Sequence, residues 1–327
     1  MRTPVCDVLG IDLPIVLAPF GPWDQVELAA AVCNAGGLGS LGTAVRGPDQ
    51  LRTEWARLRE LTDRPFAINH TGRPFDPDVF EAILEARPSA VSFHMGVPAD
   101  LVARAHDAGA RWIQQVGDLR TAELALEAGA DVLVAQGWEA GGNGGWVATM
   151  VLVPQVVDAA GDVPVLAAGG IADGRGIAAA LALGAQGVVL GTRFLASVEM
   201  GIADAWKARI VSADAVDAVK VVNSERVMPP FTLELPPGRP PAPRALRTPF
   251  VDQLETDPES VDPATAGPRF VAEVRAGRGH DLLPFSGQSA ALVRDVAPAA
   301  GIVARLVVEA EAALEAAATA FRGERRS

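Results

Sequence analysis

Residues 163–192 read VPVLAAGGIADGRGIAAALALGAQGVVLGT, and this stretch decides the fold. An apolar run at 163–167 ends before two glycines, an alanine-rich helical pattern covers 174–183, and a second apolar run covers 187–190. Short apolar runs on either side of an amphipathic helix are typical of two parallel strands joined by a helix. The stretch therefore predicts one repeat of an α/β fold.

The same alternation extends over the first two hundred residues. Strand patterns occur at residues 14–18, 38–41, 65–69, 90–94, 112–116, 131–136, 163–167 and 187–190. Helical patterns lie between them at 25–34, 48–61, 78–86, 99–108, 121–128, 152–159 and 174–183. Three of these helices end in related motifs, AGAR, AGAD and LGAQ, in which glycine ends the helix before the next strand. Eight such strands predict an α/β fold of the closed (β/α)8 TIM barrel type, and an open doubly wound sheet fits less well.

The pattern changes after residue 200. Residues 228–250 (MPPFTLELPPGRPPAPRALRTPF) are rich in proline, which is typical of neither a barrel helix nor a central strand. Helical patterns return at 268–276 and 299–321. We expect three parts, which are a barrel at 1–200, a small proline-rich accessory region over the barrel mouth at 201–285, and a C-terminal helical segment at 286–327 that returns to the barrel. The alternative that 228–265 is only a surface loop stays open.

Composition excludes several classes of protein. The chain has 28 Lys+Arg against 40 Asp+Glu, a net charge of −12, which argues against nucleic acid or an anionic membrane as partner. Neither of the two lysines, Lys207 and Lys220, follows the glycine run of a P-loop. Two cysteines cannot build a disulfide scaffold or a four-cysteine zinc site, and the four histidines lack metal-ligand spacing. We find no signal peptide and no apolar stretch of membrane-spanning length, and expect a cytoplasmic protein.

The positions that follow the predicted strands carry the candidate chemistry, because the functional groups of a TIM barrel lie there. They are Ala18, Pro19, Phe20, Asn69, His94, Gln115, Gln136, Gly169, Gly170, Gly191 and Thr192. These positions hold no carboxylate pair for glycoside hydrolysis and no Schiff-base lysine. Amides and glycines suit a large planar heterocycle and its phosphate, so the sequence predicts that a cofactor supplies the chemistry.

Glycines after the last two strands sharpen this prediction. Gly169, Gly170 and Gly191 leave backbone N–H groups unobstructed beside helix N-termini, which is typical of a phosphate site in this fold. The alternative is that they only form tight turns. The separate run GLGSLG at 37–42 matches the dinucleotide fingerprint by letter, but it follows a helix and itself forms the second strand, so we reject that interpretation.

Several segments resemble the nitronate monooxygenase family. They include PIVLAPF, VSFHMGVP, VAQGWEAGGNGGW, VPVLAAGGIADGRGIAAALALGAQGVVLGTRFLAS and SGQSAALVRD, and the resemblance reaches to about residue 310. The resemblance implies an FMN-dependent TIM-barrel oxidoreductase. Its substrates would be small molecules, namely nitronates, which it would oxidise with O2. Enoyl and quinone reductases are near relatives of this family. The FMN contacts that it implies are Ala18, Pro19, Asn69, Gln115, Gln136, Gly141, Gly170, Val189, Leu190, Gly191 and Thr192.

The sequence departs from this family at one position. The family motif continues A-G-G-H, with a catalytic histidine, whereas this chain has Asn143 there. Asparagine does not titrate near neutral pH and cannot remove a proton from carbon, although it can hydrogen-bond an oxygen of the substrate. We therefore expect Asn143 and His94 to be the catalytic candidates, with His94 at the barrel mouth as the remaining acid–base group. Trp138 and Trp146 either wall a substrate pocket or only pack the loop.

Three functions remain open from the sequence. The first is oxidation of nitronate-like anions with O2, the second is reduction of a quinone or enoyl thioester by NAD(P)H, and the third is flavin binding with altered or lost catalysis. The sequence leaves open the natural substrate, the use of NAD(P)H, the assisting role of Asn143 or His94, and whether the chain forms a homo-oligomer.

Overall fold

The computed structural model describes residues 1–72, 74–229 and 241–322. Part of the proline-rich stretch, 230–240, and the last five residues of the predicted C-terminal segment, 323–327, lie outside the described residues. No helix in the described ranges is long and apolar enough to cross a membrane.

Eight parallel strands form the predicted barrel, which confirms the TIM-barrel prediction. They are β1 (Ile15–Leu17), β2 (Gly39–Gly42), β3 (Phe66–Thr71), β4 (Ala90–His94), β5 (Arg111–Val116), β6 (Val132–Gln136), β8 (Val165–Ala168) and β9 (Gly187–Leu190). The strand order is β1-β9-β8-β6-β5-β4-β3-β2. A parallel bridge between Val16 and Leu38 joins β1 to β2 and so closes the barrel.

Helices surround the barrel and follow the predicted order. They are α2 (Val26–Asn34), α3 (Pro48–Leu61), α4 (Pro77–Glu85), α5 (Ala99–Asp107), α6 (Leu119–Glu127), α7 (Thr149–Ala160), α8 (Gly174–Ala182) and the short α9 (Thr192–Leu195). The predicted glycine ends are confirmed after α5, α6 and α8, since Gly109, Gly129 and Gly184 have φ of 80°, 89° and 95°. An additional helix, α1 (Pro4–Leu9), packs Val5 and Leu9 against the apolar barrel interior; six residues carry too little periodicity to be predicted.

The run GLGSLG serves packing. A Cβ on Gly39 would lie 2.2 Å from the Ala29 carbonyl oxygen, and one on Gly42 would lie 2.7 Å from the Cα of Gly21. These glycines let α2 and the loop after β1 approach β2 closely, so the rejection of a dinucleotide fingerprint agrees with the structure.

Beyond the barrel, the chain continues with α10 (Asp204–Ser212), β10 (Ala218–Lys220), β11 (Ala242–Leu246), α11 (Pro249–Thr256) and α12 (Pro263–Arg275). Apolar side chains of this part, among them Val251, Leu254 and Phe270, form a cluster separate from the barrel core. The C-terminal α13 (Ala299–Arg322) packs against α8 and α2. Its contact with α8 is so close that a Cβ on Gly174 would lie 2.2 Å from the Ala310 nitrogen.

The expectation that the proline-rich stretch contains no central strand was wrong. β11 is the middle strand of a three-stranded antiparallel sheet, between β10 and β7 (Gly142–Gly144). Pro243 lies within β11, where its carbonyl accepts from the Val221 N–H at 2.8 Å although its own ring has no N–H to give. β11 has only five residues, and such a short strand tolerates the loss of one backbone hydrogen bond to its neighbour. The sheet matters for the candidate site because β7 belongs to the loop that carries Asn143.

Candidate functional site

The predicted contacts at the carboxyl ends of β1 and β9 lie side by side. The Ala18 N–H donates to the Leu190 carbonyl at 2.9 Å, and a Cβ on Gly191 would lie 3.5 Å from the Ala18 Cβ. Gln25 fixes the following loop, since its side chain accepts from the Phe20 N–H at 2.6 Å. Ala18 is thereby held next to Leu190 and Gly191, and Pro19 follows it in the same loop.

The turn after β8 requires glycine. Gly169 and Gly170 have φ of 101° and 75°, which an L side chain rarely adopts. In the described part of the chain the Gly170 N–H donates to no acceptor. An unpaired backbone donor in such a turn is available to an anion.

The N-terminus of α8, which lies beside the predicted phosphate turn, is already capped by the protein. The Asp173 carboxylate accepts from the Arg175 and Gly176 N–H groups at 3.0 and 3.2 Å. Glu309 of α13 accepts from the Gly174 N–H at 3.0 Å. Two carboxylates thus cap this helix, which leaves the Gly170 turn and the start of α9 for a phosphate.

A late segment of the chain completes this corner. The Gly287 N–H donates to the Thr192 hydroxyl at 2.8 Å, and the Gln288 N–H donates to the Glu139 carbonyl at 2.9 Å. A Cβ on Gly141 would lie 2.6 Å from the Gly287 nitrogen. Gly141 and Thr192, which are about fifty residues apart in sequence, therefore meet through the Gly287 backbone.

Amide side chains line the middle of the mouth. Asn69, which lies within β3 two residues before its end, donates to the backbone carbonyl oxygen and the hydroxyl oxygen of Ser92, both at 3.1 Å. Gln115 on β5 donates to the Gln136 side-chain oxygen and, at 3.5 Å, to the Asn143 carbonyl. Gln115 thus joins the barrel strands to β7, and the three predicted amides occupy adjacent parts of one mouth.

Asn143 is the middle residue of β7 and lies opposite Pro243 of β11. Its side-chain oxygen is buried and accepts no hydrogen bond within the described ranges. A buried amide oxygen without a donor costs free energy unless a ligand supplies a donor for it, so the Asn143 Oδ1 fits a hydrogen-bond donor, whereas the Nδ2 group is the part of the amide that fits an anion. The amide offers hydrogen-bonding groups and no titratable proton acceptor.

The histidines have distinct environments. His94 is the last residue of β4, is partly exposed, and lies beside Thr71 of β3, as predicted for a group at the mouth. His70 is 3% exposed and is bonded at 2.8 Å to the Thr43 hydroxyl; its burial lowers its pKa from 6.5 to about 4. His106 pairs with Asp131 at 2.7 Å, away from the mouth, and His280 stacks on Trp206.

The loop after β6 carries two tryptophans and a carboxylate. The rings of Trp138 and Trp146 lie 5.1 Å apart, and the Lys220 ammonium lies 5.5 and 5.4 Å from their centres. Glu139 accepts from the Thr149 N–H at 3.0 Å and from its hydroxyl at 2.7 Å, so it caps the start of α7. The cations that approach this loop were not predicted, because their contacts depend on pairing between distant strands.

Comparisons with known proteins agree with this architecture. A sequence profile described as nitronate monooxygenase matches residues 2–309. A nitronate monooxygenase of Paraburkholderia phytofirmans is 35% identical, and the alignment covers 94% of this chain and 95% of that protein.

Two further similarities extend the comparison. The (3aS,4S,5R,7aS)-5-hydroxy-7a-methyl-1-oxo-octahydro-1H-indene-4-carboxyl-CoA dehydrogenase of Mycobacterium tuberculosis is 37% identical over 78% of this chain and 69% of that protein. The structure of FabK from Thermotoga maritima superposes with a TM-score of 0.85 at 34% identity, covering 97% of this chain and 99% of that chain.

Proposed function

The chain belongs to the nitronate monooxygenase family and is an oxidoreductase; on this premise we propose that it uses FMN and O2 to oxidise nitronate-like anions that reach the site already deprotonated. The observation that carries the proposal is the presence of Asn143, a side chain without a titratable proton acceptor, at the position where the family motif has histidine. An amide can orient an anion through hydrogen bonds but cannot remove its proton.

The residues present fit FMN. The Gly170 turn and the start of α9 offer donors for a phosphate, and Asn69, Gln115 and Gln136 offer amide groups for the edge of a planar ring. Gly141 and Gly169 serve the packing of this corner, since a Cβ on Gly141 would lie 2.6 Å from the Gly287 nitrogen and one on Gly169 would lie 3.1 Å from the Ala140 nitrogen. When bound, FMN would accept two electrons from the substrate and return them to oxygen.

The chain's own groups then have separate tasks. Gly170 and Thr192 hold the phosphate end, and Ala18 and Pro19 border the ring. Asn143 donates to an oxygen of the substrate anion, which fixes the anion beside the ring and compensates part of its charge. Trp138 and Trp146 form an apolar wall beside it. His94 is the alternative proton acceptor if a neutral substrate is used.

The direct test is anaerobic mixing of the FMN-loaded protein with a preformed nitronate, with NADH and with NADPH. We expect the nitronate to bleach the flavin absorbance rapidly and the two nicotinamides to leave it unchanged on the same timescale. Rapid bleaching by NADH or NADPH without bleaching by any nitronate would contradict the proposal and favour a reductase. No bleaching by any donor would favour a binding protein.

One observation supports a second candidate, an FMN-dependent oxidoreductase that exchanges hydride with an acyl-CoA substrate. The 37% identical Mycobacterium tuberculosis relative is named as the dehydrogenase of an octahydroindene carboxyl-CoA. Asn143 would then hydrogen-bond the thioester carbonyl. Including an alicyclic acyl-CoA in the anaerobic experiment separates the two candidates, because only the second predicts that it reduces the flavin.

A further inference from the structure

A buried arginine lies on the strand that pairs with the Asn143 loop, and it forms no ion pair with the described residues. Arg244 lies on the middle strand β11 and is only 2% exposed. Within the described ranges no carboxylate oxygen lies within 4 Å of its guanidinium, whereas the other buried arginines, Arg46 and Arg193, each pair with a carboxylate. Arginine is rarely buried without such a partner, because the charge loses its hydration.

Backbone carbonyls take the place of the carboxylate. The Nε and Nη2 atoms of Arg244 both donate to the Trp138 carbonyl, at 3.1 and 2.9 Å, and Nη1 donates to the Ala218 carbonyl of β10. The guanidinium carbon also lies 5.1 Å from the centre of the Trp138 ring. These contacts satisfy its donors and bind residue 138 to the accessory sheet without cancelling the positive charge.

The strand register places this charge close to the candidate site. Arg244 lies opposite Gly142 of β7, one residue before Asn143. Glu139 is the carboxylate whose charge acts on Arg244 from a greater distance, and its own oxygens accept from Thr149. Arg244 and Lys220, its cross-strand neighbour on β10, thus place two positive charges next to this loop, although the chain as a whole carries −12.

We propose that Arg244 is a specificity-determining positioning residue: its buried charge favours anionic ligands at the mouth, and its bonds to Trp138 fix the loop that carries Asn143. The inference rests on the proposed function for the place where the substrate binds. It goes further in assigning the preference for anions to a residue that touches neither the ring site nor the substrate.

Calorimetric binding of a planar anion and of a neutral nitro compound tests this without turnover. Nitrate and nitroethane serve as the probes for wild type, Arg244→Met and Arg244→Lys. The pH is kept well below the pKa of nitroethane, so that nitroethane stays neutral. We expect wild type to bind nitrate more tightly, and Arg244→Met to weaken nitrate binding at least about tenfold, while nitroethane binding changes less than about threefold. Arg244→Lys keeps the charge and should keep the nitrate preference. It loses the two-pronged bond to Trp138 and should change the fluorescence of that tryptophan.

Arg247→Met is the matched control. Arg247 follows β11, is exposed and pairs with Asp252 and Glu255, so its replacement should change nitrate binding less than about twofold. The proposal is overturned if wild type binds both probes equally, if Arg244→Met weakens both alike, or if Arg244→Lys loses the preference. If Arg244→Met does not fold, Arg244→Gln removes the charge while keeping a polar side chain, and it should lose the nitrate preference in the same way. Normal nitrate binding without nitronate oxidation would contradict the proposed function and leave this inference standing.

Discussion

The two sides of the barrel mouth are built in different ways. The cofactor side, as we propose it, consists of Gly169, Gly170, Gly191 and Thr192, which directly follow two neighbouring barrel strands. The proposed substrate side consists of Trp138, Asn143 and Trp146 with the sheet that holds them, and two of its three strands come from residues 218–246. Local turns thus shape the first side and long-range pairing shapes the second. Substitutions on the substrate side can therefore change the substrate while the cofactor site is kept.

The largest expected effect is on the cofactor side. Gly170→Glu should abolish FMN binding, because a carboxylate would occupy the phosphate position and repel it. A Cβ there meets nothing closer than 3.5 Å, so the expected cost to the fold is the backbone strain of φ 75°, about 1–2 kcal/mol. The measurement is the FMN released by heating, per mole of purified protein.

Gly109→Glu is the control for that strain. Gly109 has φ of 80° and open space around a Cβ, and it lies at the opposite end of the barrel. It should bear the same strain and keep its FMN. Full FMN content in Gly170→Glu would show that the phosphate binds elsewhere. Equal loss of FMN in both variants would show that the loss comes from misfolding.

The next effect concerns the pH dependence of the free energy of unfolding, through His70 on the barrel strand that also carries Asn69. His70 is buried neutral, and its pKa is lowered from 6.5 to about 4. The unfolded chain therefore takes up a proton at a higher pH than the folded chain. The contribution of neutral His70 to the free energy of unfolding is fully present above pH 6.5. It is lost as the pH falls to 4, and the loss amounts to up to about 3 kcal/mol.

His70→Gln should remove this part of the pH dependence, and His106→Gln, at an exposed histidine, should leave it in place. Urea unfolding across this pH range gives the free energy of unfolding of each variant. The same slope in wild type and His70→Gln would show that another group is responsible.

Asn143→His, on the substrate side, should raise kcat/KM for a neutral nitroalkane at least about tenfold more than kcat/KM for its nitronate, because it supplies the missing base. FMN content should stay unchanged, since the Asn143 side chain is not among the predicted FMN contacts. An equal change for both substrate forms would mean that residue 143 does not act on the proton.

The barrel, and the turns to which we assign the cofactor, could be located in the sequence because their signals are local. Each strand is a short apolar run, each helix after it has its own period, and the glycines of residues 163–192 stand next to the strands that they end. The positions of Asn69 and Gln136 follow from the rule that strand ends face the mouth. The carboxylate caps of α8 were missed in part, because Glu309 comes from a helix over a hundred residues away.

The substrate side could be predicted only as a list of residues. Asn143 and the two tryptophans were identified, but nothing in the local sequence shows that β7 pairs with β11 or that Pro243 lies opposite Asn143. Arg244 stands in a proline-rich stretch whose composition is typical of a loop, and its burial follows only from the three-stranded sheet. Pairing between strands a hundred residues apart leaves no periodic signal in either strand.

The most direct test of the account is the ratio of kcat/KM for a preformed nitronate to kcat/KM for its neutral nitroalkane in wild type. Because Asn143 cannot remove a carbon proton, we predict that the ratio is at least about 100, the lower end of what general-base catalysis supplies. His94→Ala should leave the ratio as high or raise it. Equal efficiency on both forms in wild type, undiminished in His94→Ala, would contradict the account.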